Sequence, residues 1–151
     1  ALKENHIYEE VATEIYNMKN TFNHIGLGMI GELEEPMDEK DFLQYAKDKM
    51  GANGIRHSAF KKKKIKKVAV LGGSGSFAIK NAIQAGADVF LTADLKYHQY
   101  YEAENQLLLA DIGHFESERY TKEYIVEYLR KKILNFAIVL SEENTNPVKY
   151  L

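Results

Sequence analysis

Short apolar runs, each followed by a polar or glycine-rich loop, constrain the fold of this chain more than any other feature. The runs Val68–Leu71, Val89–Leu91 and Leu107–Ala110 are typical of strands buried on both faces, and Phe136–Leu140 has the same character. Helical patterns separate these runs. The alternation predicts an α/β fold, a three-layer sandwich with a mostly parallel or mixed sheet and helices on both faces. Right-handed crossovers would bring the loops after the strands to one edge.

The helical patterns between these strands differ in length. We predict helices over Phe77–Gln84, Tyr97–Asn105 and His114–Lys132, of which the last is the longest. In the first half, a helix over 38–50 has an aspartate as its N-cap. A glycine-rich strand over Gly26–Leu33 is expected either to carry a bulge or to be closely approached by a neighbour.

The amino-acid composition indicates a globular protein and argues against a membrane-spanning protein and a general nucleic-acid binder. The chain has 151 residues, enough for one domain with a sizeable core, and 45% of them are hydrophobic. No apolar run approaches the roughly 18 residues that a membrane span needs. A net charge of −2 makes a general nucleic-acid binder unlikely. The one basic run, Lys61–Lys67, is interpreted as a solvated entry into a strand, with phosphate or nucleic-acid contact as the alternative.

Cysteine is absent from the chain, which excludes disulfides and thiolate metal ligands and fits a cytoplasmic location. A metal site in this chain would therefore depend on imidazole and carboxylate groups.

The loop after the first apolar run is rich in glycine and serine. Gly73, Ser74, Gly75 and Ser76 lie before a predicted helix, where backbone N–H groups are available to bind an anion. A tight turn without a ligand is the alternative. The segment also fits the dinucleotide pattern G-x-G-x-x-A, with Asp94 placed 21 residues beyond Gly73, so an NAD-binding domain is a minor alternative.

The loop after the second run brings together an acid, a base and an imidazole. Asp94, Lys96 and His98 lie within five residues of one another and are candidate catalytic groups. Asp94 and His98 could face each other across the first turn of a helix. Asp94 is equally suited to be the N-cap of that helix.

The loop after the third run contains a candidate metal site. His114 and Glu118 are spaced i, i+4, so both side chains leave the same face of a helix and can hold one divalent ion. A metal needs at least three protein ligands, and Asp94, Asp111 and His98 are candidates to assist. The alternative is a capped helix with a solvated histidine.

These three loops together resemble the C-terminal half of the Nif-three-like dinuclear metal-centre family, which is often labelled GTP cyclohydrolase 1 type 2-like. The glycine-serine loop, the stretch GADVFLTADLKYH and the pattern D-x-G-H-x-x-S-E occur in the order and spacing of that family. The opening HIYEEVATEIY, whose alternation around 11–16 suits a strand, resembles the end of a PII-like insert domain. The resemblance implies that residues 1–20 are a remnant of that insert and that residues 21–151 are one half of a two-half core domain.

The resemblance also implies a site for two divalent metal ions, zinc, manganese or iron. His114 and Glu118 match two of the family's ligands, while a His-His pair and an aspartate belong to the N-terminal half. The present residues alone are thus expected to bind metal weakly or not at all. Asp94, Lys96 and His98 are expected beside the metal cavity, with the loop Gly73–Ser76 lining it.

The function implied by the resemblance is that of a metal-dependent hydrolase acting on a phosphoester, a nucleotide or a related small molecule. In it, metal ions would activate a water while His98 or Lys96 passes a proton. The resemblance implies a toroidal homohexamer with a small-molecule substrate. We expect a cytoplasmic protein without a membrane partner, and the net charge argues against a nucleic-acid partner without excluding one. The alternative is a metal-binding scaffold or interaction module without turnover.

Overall fold

A computed structural model describes residues 4–8, 11–14, 16 and 25–151 of the chain. Its strands are β1 (Met29–Asp38), β2 (Arg56–His57), β3 (Lys64–Ser74), β4 (Val89–Ala93) and β5 (Leu108–Asp111). They form one five-stranded sheet in the order β1-β3-β4-β5-β2. The three central strands run parallel, while β1 and β2 pair antiparallel at the two edges. The predicted α/β fold with a mixed sheet is confirmed.

Helices cover both faces of this sheet, as predicted. They are α1 (Glu39–Met50), α2 (Ile79–Gln84), α3 (His114–Glu118) and α4 (Thr121–Lys132), with 3-10 helices at Ser76–Ala78 and Tyr97–Ala103. Within the described ranges, no helix combines the length and the apolar character that crossing a membrane requires.

The two faces hold separate apolar cores because successive side chains of a strand point in opposite directions. Val89 and Leu108 pack with α1 on one face. Phe90 and Leu109 pack with α2 and the second 3-10 helix on the other. All four side chains are almost completely buried, which explains the uninterrupted apolar runs in β4 and β5.

Strand β3 differs from this pattern. It was predicted to be buried on both faces, but Val70 is 40% exposed. β3 lies next to the edge strand β1, and Met29, the partner of Val70 in β1, is itself exposed. The register of β1 shifts between Glu32 and Met37, so the irregularity begins at the end of the predicted glycine-rich strand and lies mostly beyond it. Gly28, which precedes β1, permits a close approach, since a Cβ there would lie 2.6 Å from the carbonyl oxygen of Val70.

The basic run is matched by acidic residues on the neighbouring strand. The ammonium group of Lys64 lies 2.9 Å from the Oδ2 atom of Asp38, and Lys66 Nζ donates to the carbonyl oxygen of Glu34 over 2.8 Å. These contacts favour the interpretation of Lys61–Lys67 as a solvated strand entry. They also explain why Asp38, although it occupies the predicted N-cap position of α1, makes no side-chain capping bond.

The longest predicted helix is divided in two. The helical pattern over His114–Lys132 is interrupted at Arg119 and Tyr120, which form a turn between α3 and α4. The hydroxyl of Tyr120 donates to the carbonyl oxygen of Lys49 over 3.1 Å. This contact ties the junction to the end of α1, and sequence periodicity alone does not reveal it.

The predicted strand over Phe136–Leu140 is wrong. These residues have no regular secondary structure, and the guanidinium of Arg130 donates to the carbonyl oxygen of Ile138 over 2.9 Å. Apolar composition does not make a strand when a segment finds no partner strand. The strand predicted around 11–16 lies partly outside the described residues, and residues 11–14 and 16 have no regular secondary structure.

Candidate metal centre

The short helix α3 brings the candidate ligands to the carboxyl edge of the sheet. It contacts β3 and β4 and begins directly after Gly113, whose φ of +95° allows the sharp turn out of β5. A Cβ at Gly113 would collide with the carboxylate of Glu116, so a glycine is required at this point. His114 is therefore the first residue of α3, and Glu118 is its last.

His114 lies between two carboxylates. Its Nδ1 atom is 2.6 Å from the Oδ2 atom of Asp94, and its Nε2 atom is 3.2 Å from the Oε2 atom of Glu118. All three side chains are about half exposed, at 52%, 50% and 50%. Because an ionised carboxylate can only accept, Nδ1 carries the proton of the bond to Asp94. The i, i+4 pair of the prediction is thus brought together, and Asp94 joins it from a neighbouring loop.

The two neighbouring carboxylates, Asp94 and Glu118, change the pKa of His114. The pKa of His114 is raised above its ordinary value of 6.5, chiefly by the hydrogen bond to Asp94. Partial burial lowers this pKa, while the charges of Asp94 and Glu118 raise it further. When the ring is neutral, lone pairs of Nε2 and of the Glu118 carboxylate face each other. A cation between them, either a proton or a metal ion, relieves that repulsion.

The glycine loop serves to bring β3 close to α3. The N–H of Gly73 donates to the hydroxyl of Ser117 over 2.9 Å, and that hydroxyl donates to the carbonyl oxygen of His114 over 2.8 Å. A Cβ at Gly73 would collide with the carboxylate of Glu118. Gly73 is therefore in contact with the candidate site, but its N–H is already used within the chain.

The rest of the loop is also engaged internally. Ser74 is the last residue of β3, and Ser76 begins the 3-10 helix. A Cβ at Gly75 would collide with the hydroxyl of Thr92. The acid of the dinucleotide pattern, Asp94, is bonded to His114. These contacts favour the tight-turn interpretation. Anion binding by this loop and NAD binding stay predictions.

The loop that contains Asp94, Lys96 and His98 matches the prediction only in part. Asp94 does not cap the helix that follows, since the N-cap position belongs to Lys96. His98 is exposed, and its ring packs edge-on against Tyr97 with the centroids 5.2 Å apart. Asp94 binds His114 rather than facing His98. The catalytic roles of Lys96 and His98 remain predictions.

Asp111 has a role that the sequence did not indicate. It was considered as an additional metal ligand, but it is only 4% exposed. Its carboxylate accepts hydrogen bonds from the backbone N–H groups of Leu95 and Gly113 and from the guanidinium of Arg56. Its bond to Gly113, two residues on, is a local turn that the pattern D-x-G could have suggested.

A cavity of about 970 Å³ opens beside this group. This volume is at the upper end of the range for small-molecule sites. Asp94, His114 and Glu118 lie in its wall. The wall also contains cationic and apolar side chains, among them Arg56, Lys122, Phe115, Ile125 and Val148.

The donor atoms fit part of a metal site. Two adjacent ligands, each about 2.0–2.2 Å from one ion, are separated by roughly 2.9–3.4 Å, and His114 Nε2 and Glu118 Oε2 lie 3.2 Å apart. Within the ranges that the structure describes, no group of three or more His, Asp or Glu side chains is arranged to hold a metal ion. Asp94 and Glu118 lie against opposite nitrogens of the ring, so Asp94 does not complete the set.

Comparison with known proteins decides the family. The model of the Duf34/NIF3 (NGG1p interacting factor 3) family matches residues 4–147. The chain belongs to the Duf34/NIF3 family. A protein of Bacillus subtilis named GTP cyclohydrolase 1 type 2 homolog is 38% identical over 156 residues, which cover 100% of this chain and 42% of the relative. A protein of Staphylococcus epidermidis with the same name is 39% identical, covering 99% of this chain and 42% of the relative.

Solved structures of the family agree with this assignment. A Bacillus cereus protein related to NIF3 matches with a TM-score of 0.74 and 34% identity, over 99% of this chain and 42% of that protein. Staphylococcus aureus protein SA1388 matches with a TM-score of 0.76 and 30% identity, over 99% and 44%. The chain thus spans less than half the length of these Duf34/NIF3 proteins. The domain boundary after residue 20 remains a prediction.

Proposed function

We propose that this chain supplies His114 and Glu118 as ligands to a divalent metal centre whose other ligands lie elsewhere in a longer protein. The observation that carries the proposal is the short distance between two atoms with lone pairs: His114 Nε2 and Glu118 Oε2 lie 3.2 Å apart. The other ring nitrogen of His114 is already bonded to Asp94. A carboxylate on the second nitrogen of a metal-binding imidazole is the usual arrangement in protein metal sites.

Each residue has a distinct part in this centre. Asp94 holds the proton on Nδ1 and so keeps the lone pair of His114 on Nε2, directed towards Glu118. Glu118 supplies an anionic oxygen. Gly73 leaves the space that the Glu118 carboxylate occupies. Divalent metal ions, when bound, would supply Lewis acidity and an activated water.

We further propose that the complete protein is a metal-dependent hydrolase acting on a phosphoester, a nucleotide or a related small molecule. The cavity beside His114 is large enough for such a substrate. Lys96 and His98 follow Asp94 in the chain and are both exposed, so either can exchange a proton with solvent.

The test uses the complete natural polypeptide. Its metal content is measured by elemental analysis, and its activity on phosphoesters and nucleotides is assayed with Mn²⁺ and with Zn²⁺. His114→Ala and Glu118→Gln are compared with His57→Ala, which removes an exposed imidazole that stacks on Phe60 instead. We expect both site variants to lose metal and turnover, while His57→Ala retains both. Turnover that survives both site variants unchanged would refute the hydrolase, and bound metal without turnover would favour the scaffold alternative.

We also propose that the protein assembles with copies of itself, as the family resemblance implies. Large apolar side chains on α4 and the segment after it are exposed: Tyr124 by 72%, Leu134 by 87% and Phe136 by 72%. Where such side chains form one contiguous patch, contact with a second copy of the chain would remove it from water. Light scattering of the complete polypeptide is expected to give a hexamer, and a monomer would contradict the proposal.

A further inference from the structure

We propose that Asp111 is a positioning residue that fixes the Asp94–His114 pair, although its hydrogen bonds go to neither of those side chains. The inference rests on the proposed metal centre, because the pair matters to function only if His114 binds metal. Asp111 is not proposed as a ligand.

The contacts of Asp111 lead to this role. Its Oδ2 atom accepts from the backbone N–H of Leu95 over 2.9 Å, and its Oδ1 atom accepts from that of Gly113 over 3.1 Å. Leu95 directly follows Asp94, and Gly113 directly precedes His114. One buried carboxylate therefore joins the two peptide segments that carry the two halves of the pair.

The backbone at Asp94 needs such support, whereas a glycine such as Gly113 adopts a positive φ readily. Asp94 has a φ of +56°, and Gly113 has a φ of +95°. Side chains other than glycine adopt the left-handed region only at a cost, which the surrounding structure must offset. The bond from Leu95 to Asp111 holds the chain immediately after Asp94 and so favours the conformation that brings its carboxylate to His114.

Arg56 helps to hold the buried Asp111 carboxylate in place. Its guanidinium reaches across from the edge strand β2 and forms an ion pair with the Oδ2 atom of Asp111. A charged carboxylate accepts with both oxygens, whereas an asparagine amide accepts with one and donates with the other end. Asp111→Asn would preserve shape but lose the bond to either Leu95 or Gly113.

A second buried carboxylate provides a matched control. Glu39 is 6% exposed and accepts from the backbone N–H groups of Lys61 and Lys62 over 2.7–3.0 Å. Lys62 also has a positive φ, of +58°. Glu39→Gln therefore replaces one of two accepting oxygens by a donor, as Asp111→Asn does, and weakens the same kind of support for the same kind of backbone at a place outside the candidate metal centre.

The experiment compares the two variants in the complete polypeptide. Zn²⁺ affinity is measured by competition with a chromophoric chelator, and the Nδ1 proton of His114 is followed as a downfield NMR signal assigned with His114→Ala. Urea denaturation shows whether the two variants are destabilised alike. We expect Asp111→Asn to weaken Zn²⁺ binding by about tenfold or more and to shift or abolish the signal, as removal of outer-shell support does. Glu39→Gln should change neither.

Two outcomes would overturn the proposal. In the first, Asp111→Asn loses stability as Glu39→Gln does but keeps both the Zn²⁺ affinity and the proton signal. That result would show that Asp111 supports the fold and does not position the pair. If Asp111→Asn does not fold, Arg56→Gln removes the counter-charge instead, and an unchanged affinity and signal in that variant would likewise refute the role. If the wild type binds no Zn²⁺, the proposed function fails, and the proton signal in metal-free protein still decides whether Asp111 positions the pair.

Discussion

Replacing Gly73 by alanine separates the cost of backbone strain from the loss of the candidate metal site. Gly73 has a φ of +67°, and a Cβ built there collides with the Glu118 carboxylate and lies 3.4 Å from Cε1 of His114. Gly86 has a similar φ of +71°, but a Cβ there meets nothing within 4 Å. Gly86→Ala is therefore a control for the backbone alone.

The expected magnitudes follow from these two environments. An alanine in the left-handed region costs about 1–2 kcal/mol. The reduced freedom of the unfolded chain offsets about 0.4–1 kcal/mol of this. Both variants should thus lose roughly 1 kcal/mol of unfolding free energy. In Gly73→Ala, the half-exposed Glu118 can move away with little further loss of stability, but its oxygen then leaves the Nε2 atom of His114.

The assay measures stability and metal binding on the same samples of the complete polypeptide. Urea denaturation gives the free energy of unfolding, and chelator competition gives the Zn²⁺ affinity. We expect the two variants to be similar in stability. Only Gly73→Ala should bind Zn²⁺ more weakly than wild type, by at least about tenfold, because it displaces the ligand Glu118 itself. Equal Zn²⁺ affinity in the two variants would refute the argument that Gly73 makes room for Glu118.

Three further predictions concern charge and packing. Asp94→Asn removes the main cause of the raised pKa of His114. The stability that wild type has over the variant should therefore be full below about pH 6.5 and shrink as the pH rises through the raised pKa, where only the bond from the neutral ring is left. Urea denaturation from pH 5 to 8 checks this, and a difference that grows with pH would contradict it. Leu109→Ala, at a fully buried position, should cost about 2–5 kcal/mol in the same assay, and a smaller loss would mean that the core collapses around the gap. Lys64→Ala breaks only the exposed pair with Asp38 and should cost less than about 1 kcal/mol, whereas a larger loss would show that the pair is a structural contact.

The sequence was most informative where local pattern and tertiary structure agree. Strands β4 and β5 were predictable because they are buried on both faces, which requires the apolar runs Val89–Leu91 and Leu108–Ala110. The end of α1 was predictable because Gly51 takes a φ of +58°, which glycine adopts readily. Phe136–Leu140 has the same apolar character as β4 but pairs with no strand in the part of the chain that the structure describes. Pairing is a tertiary property that composition does not encode.

Of the candidate site, only the contact between residues close in sequence was predictable. His114 and Glu118 are four residues apart, so helical geometry alone brings them together. Asp94 meets His114 across 20 residues of sequence, and that contact depends on the parallel pairing of β4 with β5. The role of Asp111 depends on the same pairing, because it joins two loops that the sheet places side by side.

The most direct test of the metal centre is an anomalous-difference map from crystals of the complete polypeptide grown with Zn²⁺ and measured at the zinc edge. We predict a peak about 2.0–2.2 Å from both the Nε2 atom of His114 and a carboxylate oxygen of Glu118, with Asp94 still bonded to Nδ1. A fully occupied zinc site elsewhere, with Nε2 facing only Glu118 or solvent, would contradict it.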